Sequence, residues 1–157
     1  MNDKKPIAIG SDHAGFAMKE AVKKLLAERG VPCEDLGAHT LDPGDDYPLF
    51  AARVAAAVSQ GIYDRGIVVC GTGIGASITA NRFRRVRAAL CVTPQMARLS
   101  REHNDANVLA LGGSIVSTET AADIVRIWLD TPFAGGRHAR RTALIDTVSS
   151  DPKGAGR

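Results

Sequence analysis

Short apolar runs alternate along the chain with longer stretches whose apolar residues recur every three or four positions. Ile7 to Gly10 is such a run, and after the polar turn Ser11 to Gly15 the residues Met18, Ala21, Val22, Leu25 and Leu26 share one helical face. Gly30 stands where a helix C-cap glycine belongs, and Val31 to Leu36 predicts a second strand. A loop rich in Gly, Asp and Pro follows, then an alanine-rich helix over Leu49 to Gln60 that Gly61 closes. Ile67 to Cys70 predicts strand three, ending in a glycine-rich turn before a helix over Ala76 to Asn81. Val86 to Val92 predicts strand four, and Thr93 and Pro94 supply an N-cap and a first-turn proline for a helix through Arg101. Val108 to Leu111 is the fifth strand. Thr118 is expected to cap a helix with Ala121, Ile124, Val125 and Trp128 on one face, and a last helix is expected over about Arg137 to Val148.

Five strands alternating with helices predict an α/β, Rossmann-like three-layer domain: a five-stranded parallel sheet with right-handed crossovers placing helices on both faces. One domain is expected over residues 1–148, with 149–157 a frayed tail. In such sheets ligands bind beyond the carboxyl ends of the strands. That rule selects Ser11, Asp12 and His13, then Cys70 to Gly75, then His103 and Asn104, which are expected at the same loop edge.

Composition narrows the partner. The net charge is +3, but basic residues bunch at Arg82, Arg84, Arg85 and Arg87 and again at Arg137, Arg140 and Arg141. Aromatic residues are 4% and no nucleic-acid-binding motif is present, so a small anionic ligand is favoured over nucleic acid. The polar start, Met1 to Pro6, leads into an apolar run of four residues, too short for a signal core or a membrane span. Cys33, Cys70 and Cys91 form an odd set without paired spacing, which argues against disulfides and a zinc cluster and for a reduced cytoplasmic setting.

Chemistry concentrates at Cys70-Gly71-Thr72-Gly73-Ile74-Gly75, where three glycines either let successive N–H groups face one anion or simply allow the positive φ angles of a tight turn. Ala76 and Ser77 stand where a P-loop needs Lys and Ser or Thr, and a dinucleotide fingerprint belongs in the first βα turn, so a nucleotide is not expected. A strand cysteine can simply pack, but at a strand's carboxyl end beside N–H groups its thiolate is favoured and can accept a carbon-bound proton. His13 and His103 each sit in a polar run with a local carboxylate, which suits either a surface histidine or a functional one. No metal-ligand spacing such as H-x-x-x-H joins them. Arg137 and Arg141, four apart on a helix, share a face that suits a phosphate or plain solvent.

Five ordered segments together resemble the type B ribose-5-phosphate isomerase family, which includes galactose-6-phosphate isomerase subunits. They are Gly10 to Gly15, Asp46-Tyr47-Pro48, Cys70 to Gly75, Ser100 to Val108, and Gly135 to His138, spread over nearly the whole chain from Ile7 to Val148. The resemblance implies an aldose-ketose isomerase of sugar phosphates in carbohydrate metabolism, with ribose 5-phosphate and ribulose 5-phosphate of the pentose phosphate pathway as the expected pair. It implies Cys70 as the base, since Ala76 occupies the region where other members carry a glutamate, and His103 as the group that opens the furanose ring. Asp12 and Thr72 would contact ring oxygens and reacting hydroxyls, Asn104 would lie near the enediolate, and Gly71, Gly73 and Gly75 would offer N–H groups to it. His13, Arg137 and Arg141 would hold the phosphate. The family's usual arginine is replaced by Ser114, which opens the substrate to another tetrose, pentose or hexose phosphate. A homodimer with sites at the subunit interface and no cofactor or metal is implied. A non-catalytic sugar-phosphate sensor is the alternative; a cysteine phosphatase would need an arginine near Ala76 and Ser77.

Overall fold

A computed structural model describes residues 5–148, where strands β1 (Ile7–Ser11), β2 (Cys33–Asp35), β3 (Gly66–Cys70), β4 (Ala88–Leu90) and β5 (Val108–Gly112) alternate with helices. The helices are α1 (Phe16–Glu28), α2 (Tyr47–Ser59), α3 (Ile74–Ala80), α4 (Pro94–Asn104), α5 (Thr118–Asp130) and α6 (Arg137–Val148). All strand pairs are parallel, in the order β2-β1-β3-β5-β4. The expected α/β sandwich is therefore observed, while the expected tail at 149–157 lies outside the described residues.

Strand order and handedness assign the layers. Connections β1 to β2 and β4 to β5 step one way across the sheet and β2 to β3 and β3 to β4 the other, so right-handed crossovers place α1 and α4 on one face and α2 and α3 on the opposite one. The buried clusters agree. Ile7, Ile9, Ile67, Val69, Leu109 and Leu111 pack with α1, α4 and α5 around Trp128, whereas Ala8, Val68, Cys70, Val108 and Ala110 pack with α2 and α3. Small residues dominate the second face because α2 lies close to the strands: a Cβ on Gly66 would fall 2.5 Å from Val54 Cγ1.

Several element ends differ from the sequence reading. Edge strands β2 and β4 shrink to three residues because each pairs on one side only, and Pro32 at the lead into β2 lacks an N–H. Helix α2 starts at Tyr47, with Pro48 in its first turn, and α4 runs three residues past Arg101. Thr93 Oγ1 caps α4 as expected, accepting from Met96 N–H at 3.2 Å. The cap of α5 is Ser117, whose Oγ accepts from Thr120 N–H at 3.1 Å, rather than Thr118, which is already helical.

One correction bears on function. Because α4 returns the chain from the carboxyl end of β4 to the amino end of β5, His103 and Asn104 lie at the amino edge of the sheet, not beside Cys70. Gly66 pairs with Val108 and Cys70 with Gly112, so the two edges are four residue steps, about 13 Å, apart along the strands.

Candidate active site

Strands β1 and β3 are neighbours whose connections leave in opposite directions, which makes their carboxyl ends the switch point where α/β sheets open a crevice. Three loops meet there. A Cβ on Gly15 would come within 2.7 Å of Val69 O, one on Gly113 within 3.0 Å of Ala14 O, and Ser114 N–H donates to Gly71 O at 2.9 Å. Asp12, His13, Cys70, Gly71, Thr72, Gly73, Gly75 and Ser114 are thus brought to one edge.

Cys70 ends β3 and is buried, with 4% of its surface exposed; its Sγ accepts the Gly73 N–H at 3.1 Å, a contact a thiolate accepts more strongly than a thiol. Gly73 has φ +78°, and a Cβ there would lie 2.8 Å from the Leu111 carbonyl carbon, so a glycine is required for the loop to fold back onto the sulfur. Thr72 Oγ1 accepts from Ile74 N–H at 3.2 Å. With those two donors committed, the N–H groups of Gly75 and Ala76, in the first turn of α3, have no partner among the described residues and can receive an anion. Burial pushes the other two thiols, Cys33 and Cys91, up to about 11, which leaves them as packing residues.

Asp12 is buried and its Oδ1 accepts the Gly15 N–H at 2.9 Å, shaping the turn that presents His13. His13 is held by Asp45, a residue the sequence reading did not single out. Asp45 Oδ1 lies 2.7 Å from His13 Nδ1 and accepts the His13 backbone N–H at 2.9 Å. Tyr47, which the sequence reading placed in a matching segment without giving it a role, also lies here: a Cβ on Gly75 would fall 2.5 Å from its ring, so α2 begins against the glycine loop. Ligand atoms of Asp12, His13 and Asp45 lie within 4.8 Å of one another, but Asp12 Oδ1 and Asp45 Oδ1 already accept the N–H groups above, and the cluster reads as a hydrogen-bonded network.

The remaining expected residues form a second group at the amino edge. His103 in the last turn of α4 stacks on His138, with ring centroids 4.3 Å apart and planes 8° from parallel. Burial lowers the His138 pKa, and His103, Arg137 and Arg141 lower it further. Arg87 NH1 bonds both oxygens of Asp146 at 2.8 Å and its Nε reaches Asn104 O at 2.9 Å, clamping α6 to the turn after α4. Arg137 and Arg141 project from α6 with no ion pair among the described residues.

Residues 7–145 match the model of the family described as Ribose/Galactose Isomerase. The chain belongs to that family. Ribose-5-phosphate isomerase B of Escherichia coli K12 is 46% identical over 144 residues, covering 92% of this chain and 96% of that one. Among solved structures, ribose-5-phosphate isomerase B of Clostridium thermocellum superposes with a TM-score of 0.90 at 49% identity, over 92% of this chain and 97% of the other. The Mycoplasma genitalium enzyme with bound ribulose-5-phosphate gives 0.89 at 39% identity, over 93% and 97%. As a member of this isomerase family the chain is an aldose-ketose isomerase of the ribose-5-phosphate isomerase type. Among the described residues, no helix is long and apolar enough to cross a membrane.

Proposed function

We propose that the chain interconverts ribose 5-phosphate and ribulose 5-phosphate in a site completed by a second copy of itself. The observation that carries this is the division of the expected residues between two edges about 13 Å apart, a gap that no side chain of one copy closes around a single sugar. Exposed apolar residues on the elements of each half support their meeting: Ile74 and Ile78 on α3, which follows the Cys70 loop, and Leu144, Ile145 and Val148 on α6, the helix whose His138 stacks on His103.

In this reading His103 of one copy moves a proton from O1 to the ring oxygen and opens the furanose. Cys70 of the other takes the proton from C2. The C–H electron pair forms the C1–C2 double bond, and negative charge gathers on O1 where the Gly75 and Ala76 N–H groups can receive it. Thr72 and Asp12 hold the two hydroxyl oxygens while the proton of O2 passes to O1, leaving the carbonyl at C2, and Cys70 returns its proton to C1. Asn104 supports the enediolate, and His13, Arg137 and Arg141 hold the phosphate. The domain is proposed to span residues 1–148, working in the cytoplasm, with no step calling for a metal.

Turnover of ribose 5-phosphate in deuterated water is expected to deliver ribulose 5-phosphate carrying deuterium at C1, and recovered ribose 5-phosphate carrying it at C2. Cys70→Ala and His103→Asn are each expected to lose about a hundredfold or more in kcat. Unfolding and refolding the two variants together should restore roughly a quarter of the wild-type sites, since half the mixed sites pair an intact Cys70 with an intact His103 only in hybrid dimers. No recovery in hybrids shown to form would refute the shared site, and no turnover on any four- to six-carbon aldose phosphate would refute the isomerase.

A further inference from the structure

We propose that Asp45 is the positioning residue of His13: it locks the imidazole by its Nδ1 edge and its backbone N–H, so that the opposite nitrogen, Nε2, is presented as a donor to the anionic end of the substrate. This rests on the reading above in which His13 meets the phosphate. One carboxylate oxygen, Asp45 Oδ1, receives both bonds, at 2.7 Å from Nδ1 and 2.9 Å from the backbone nitrogen, so ring and main chain are fixed against the same atom. A carboxylate on Nδ1 holds a proton there, so Nε2 is the nitrogen left for the ligand, and it donates when the ring is the imidazolium.

The loop is built to deliver this carboxylate from 32 residues away. Its base is stitched to β1 by Ser11 N–H to Gly37 O at 2.8 Å and Ala38 N–H to Ser11 O at 2.7 Å. Near its tip Asp42 O accepts the Asp45 N–H at 3.1 Å and Asp42 Oδ1 the Gly44 N–H at 2.9 Å. The Asp45 side chain is 9% exposed, and its second oxygen, Oδ2, is buried with no partner. Its side-chain hydrogen bonds therefore all go to His13, and among the described residues its charge is shared with no cation other than the His13 imidazolium.

A passive role in pinning the loop would need only the backbone bond, whereas the ring bond changes the chemistry of the imidazole. The charged groups facing His13 are Asp45, from the loop, and Asp12, from the β1 turn. The Asp45 hydrogen bond raises the His13 pKa above 6.5 against an opposing effect of burial, and the Asp12 and Asp45 charges add to the rise. The imidazolium form, which can donate from Nε2 to a phosphate, thus persists to higher pH than in a free histidine.

The test compares the full-length protein with Asp45→Asn, Asp45→Ala and His13→Asn, reading the His13 imidazole by NMR titration and KM and kcat for ribose 5-phosphate at pH 6 and pH 8. Asp45→Asn keeps the shape and an acceptor for the backbone N–H. It is expected to move the His13 titration to lower pH and to raise KM at pH 8 roughly tenfold, with kcat little changed and a much smaller KM effect at pH 6. An unmoved His13 titration, or a KM rise equal at both pH values, would overturn the proposal by reducing Asp45 to a loop pin. A raised KM in His13→Asn with no effect in either Asp45 variant would overturn it while leaving the role of His13 standing. Unchanged KM in His13→Asn would overturn both.

Discussion

Replacing Asp35 by asparagine removes half of an ion pair whose other half cannot reach water. Lys19 is 0% exposed, and its Nζ meets Asp35 Oδ1 at 2.9 Å, Oδ2 at 2.8 Å and the carbonyl of Ala38, with the Phe16 ring 5.1 Å away. Asp35→Asn leaves a buried ammonium whose remaining carboxylate is the half-exposed Glu20, with Oε1 3.7 Å away, and since breaking a buried pair costs about 3–5 kcal/mol, a loss toward the lower end of that range is expected. Lys19→Met is the milder change: Asp35 keeps Lys23 Nζ at 2.8 Å and the Gly37 N–H at 2.9 Å, is partly exposed, and the methionine fills most of the lysine stem, so about 1–2 kcal/mol is expected. Urea unfolding at one protein concentration, read at equal m, measures both. The pH dependence gives a second reading. Burial pushes the Asp35 carboxyl up, but bonds from Lys19, Lys23 and the Gly37 N–H outweigh it and hold the carboxyl below 3.8. A group depressed in the folded state stabilises above its unfolded value and loses that contribution as pH falls through the folded one, so Asp35→Asn should show a shallower loss of stability below about pH 4. Equal destabilisation by the two variants would refute the reasoning. Because Lys19 also grips Ala38, at the base of the loop that carries Asp45, both variants should loosen His13 as well.

Gly73→Ala adds a Cβ 2.8 Å from the Leu111 carbonyl carbon at a φ of +78°, so the loop must shift off Cys70 Sγ; a loss of kcat exceeding tenfold with a small change in unfolding midpoint is expected, and kinetics within twofold of wild type would count against the loop as the anion site. With their thiols pushed up to about 11, Cys33 and Cys91 should alkylate slowly with iodoacetamide in the native protein at pH 8; rapid labelling of either, read by peptide mapping, would contradict the desolvation that raises them.

The core of the fold was legible because β1, β3 and β5 are buried on both faces and therefore read as unbroken apolar runs. Edge strands β2 and β4 were overcalled since apolar residues such as Val31, Val86 and Val92 extend beyond the three residues that find a ladder partner. Cys70 and its glycines could be found from the strand-to-helix turn alone, as could the paired arginines of α6. Asp45 could not: it is one of three acidic residues among 42–46 in a loop without periodicity, and only the fold of that loop decides which of them reaches His13. His103 was misplaced for a different reason. The carboxyl-edge rule describes where one chain binds a ligand, and His103 ends a crossover helix that has already returned to the other edge.

That displacement carries its own constraint on assembly. If the carboxyl edge of one copy takes the amino edge of another, two arrangements are open: a head-to-tail stack, in which each copy passes its amino edge onward and the chain of contacts never closes, or a two-fold pair, in which the copies exchange edges and both sites fill at once. The stack leaves one bare half-site of each kind and the apolar residues beside it at the ends of every filament. The pair leaves none. Exchange by a two-fold axis requires the strands of the two sheets to run in opposite directions, so that α3 of each copy, with Ile74 and Ile78 exposed, approaches α6 of the other, with Leu144, Ile145 and Val148 exposed. The same apolar contact that buries these side chains then sets the separation of Cys70 from the facing His103. In such a pair association strength and catalytic geometry would be tied to one interface, so that a residue there touching no substrate would still change kcat.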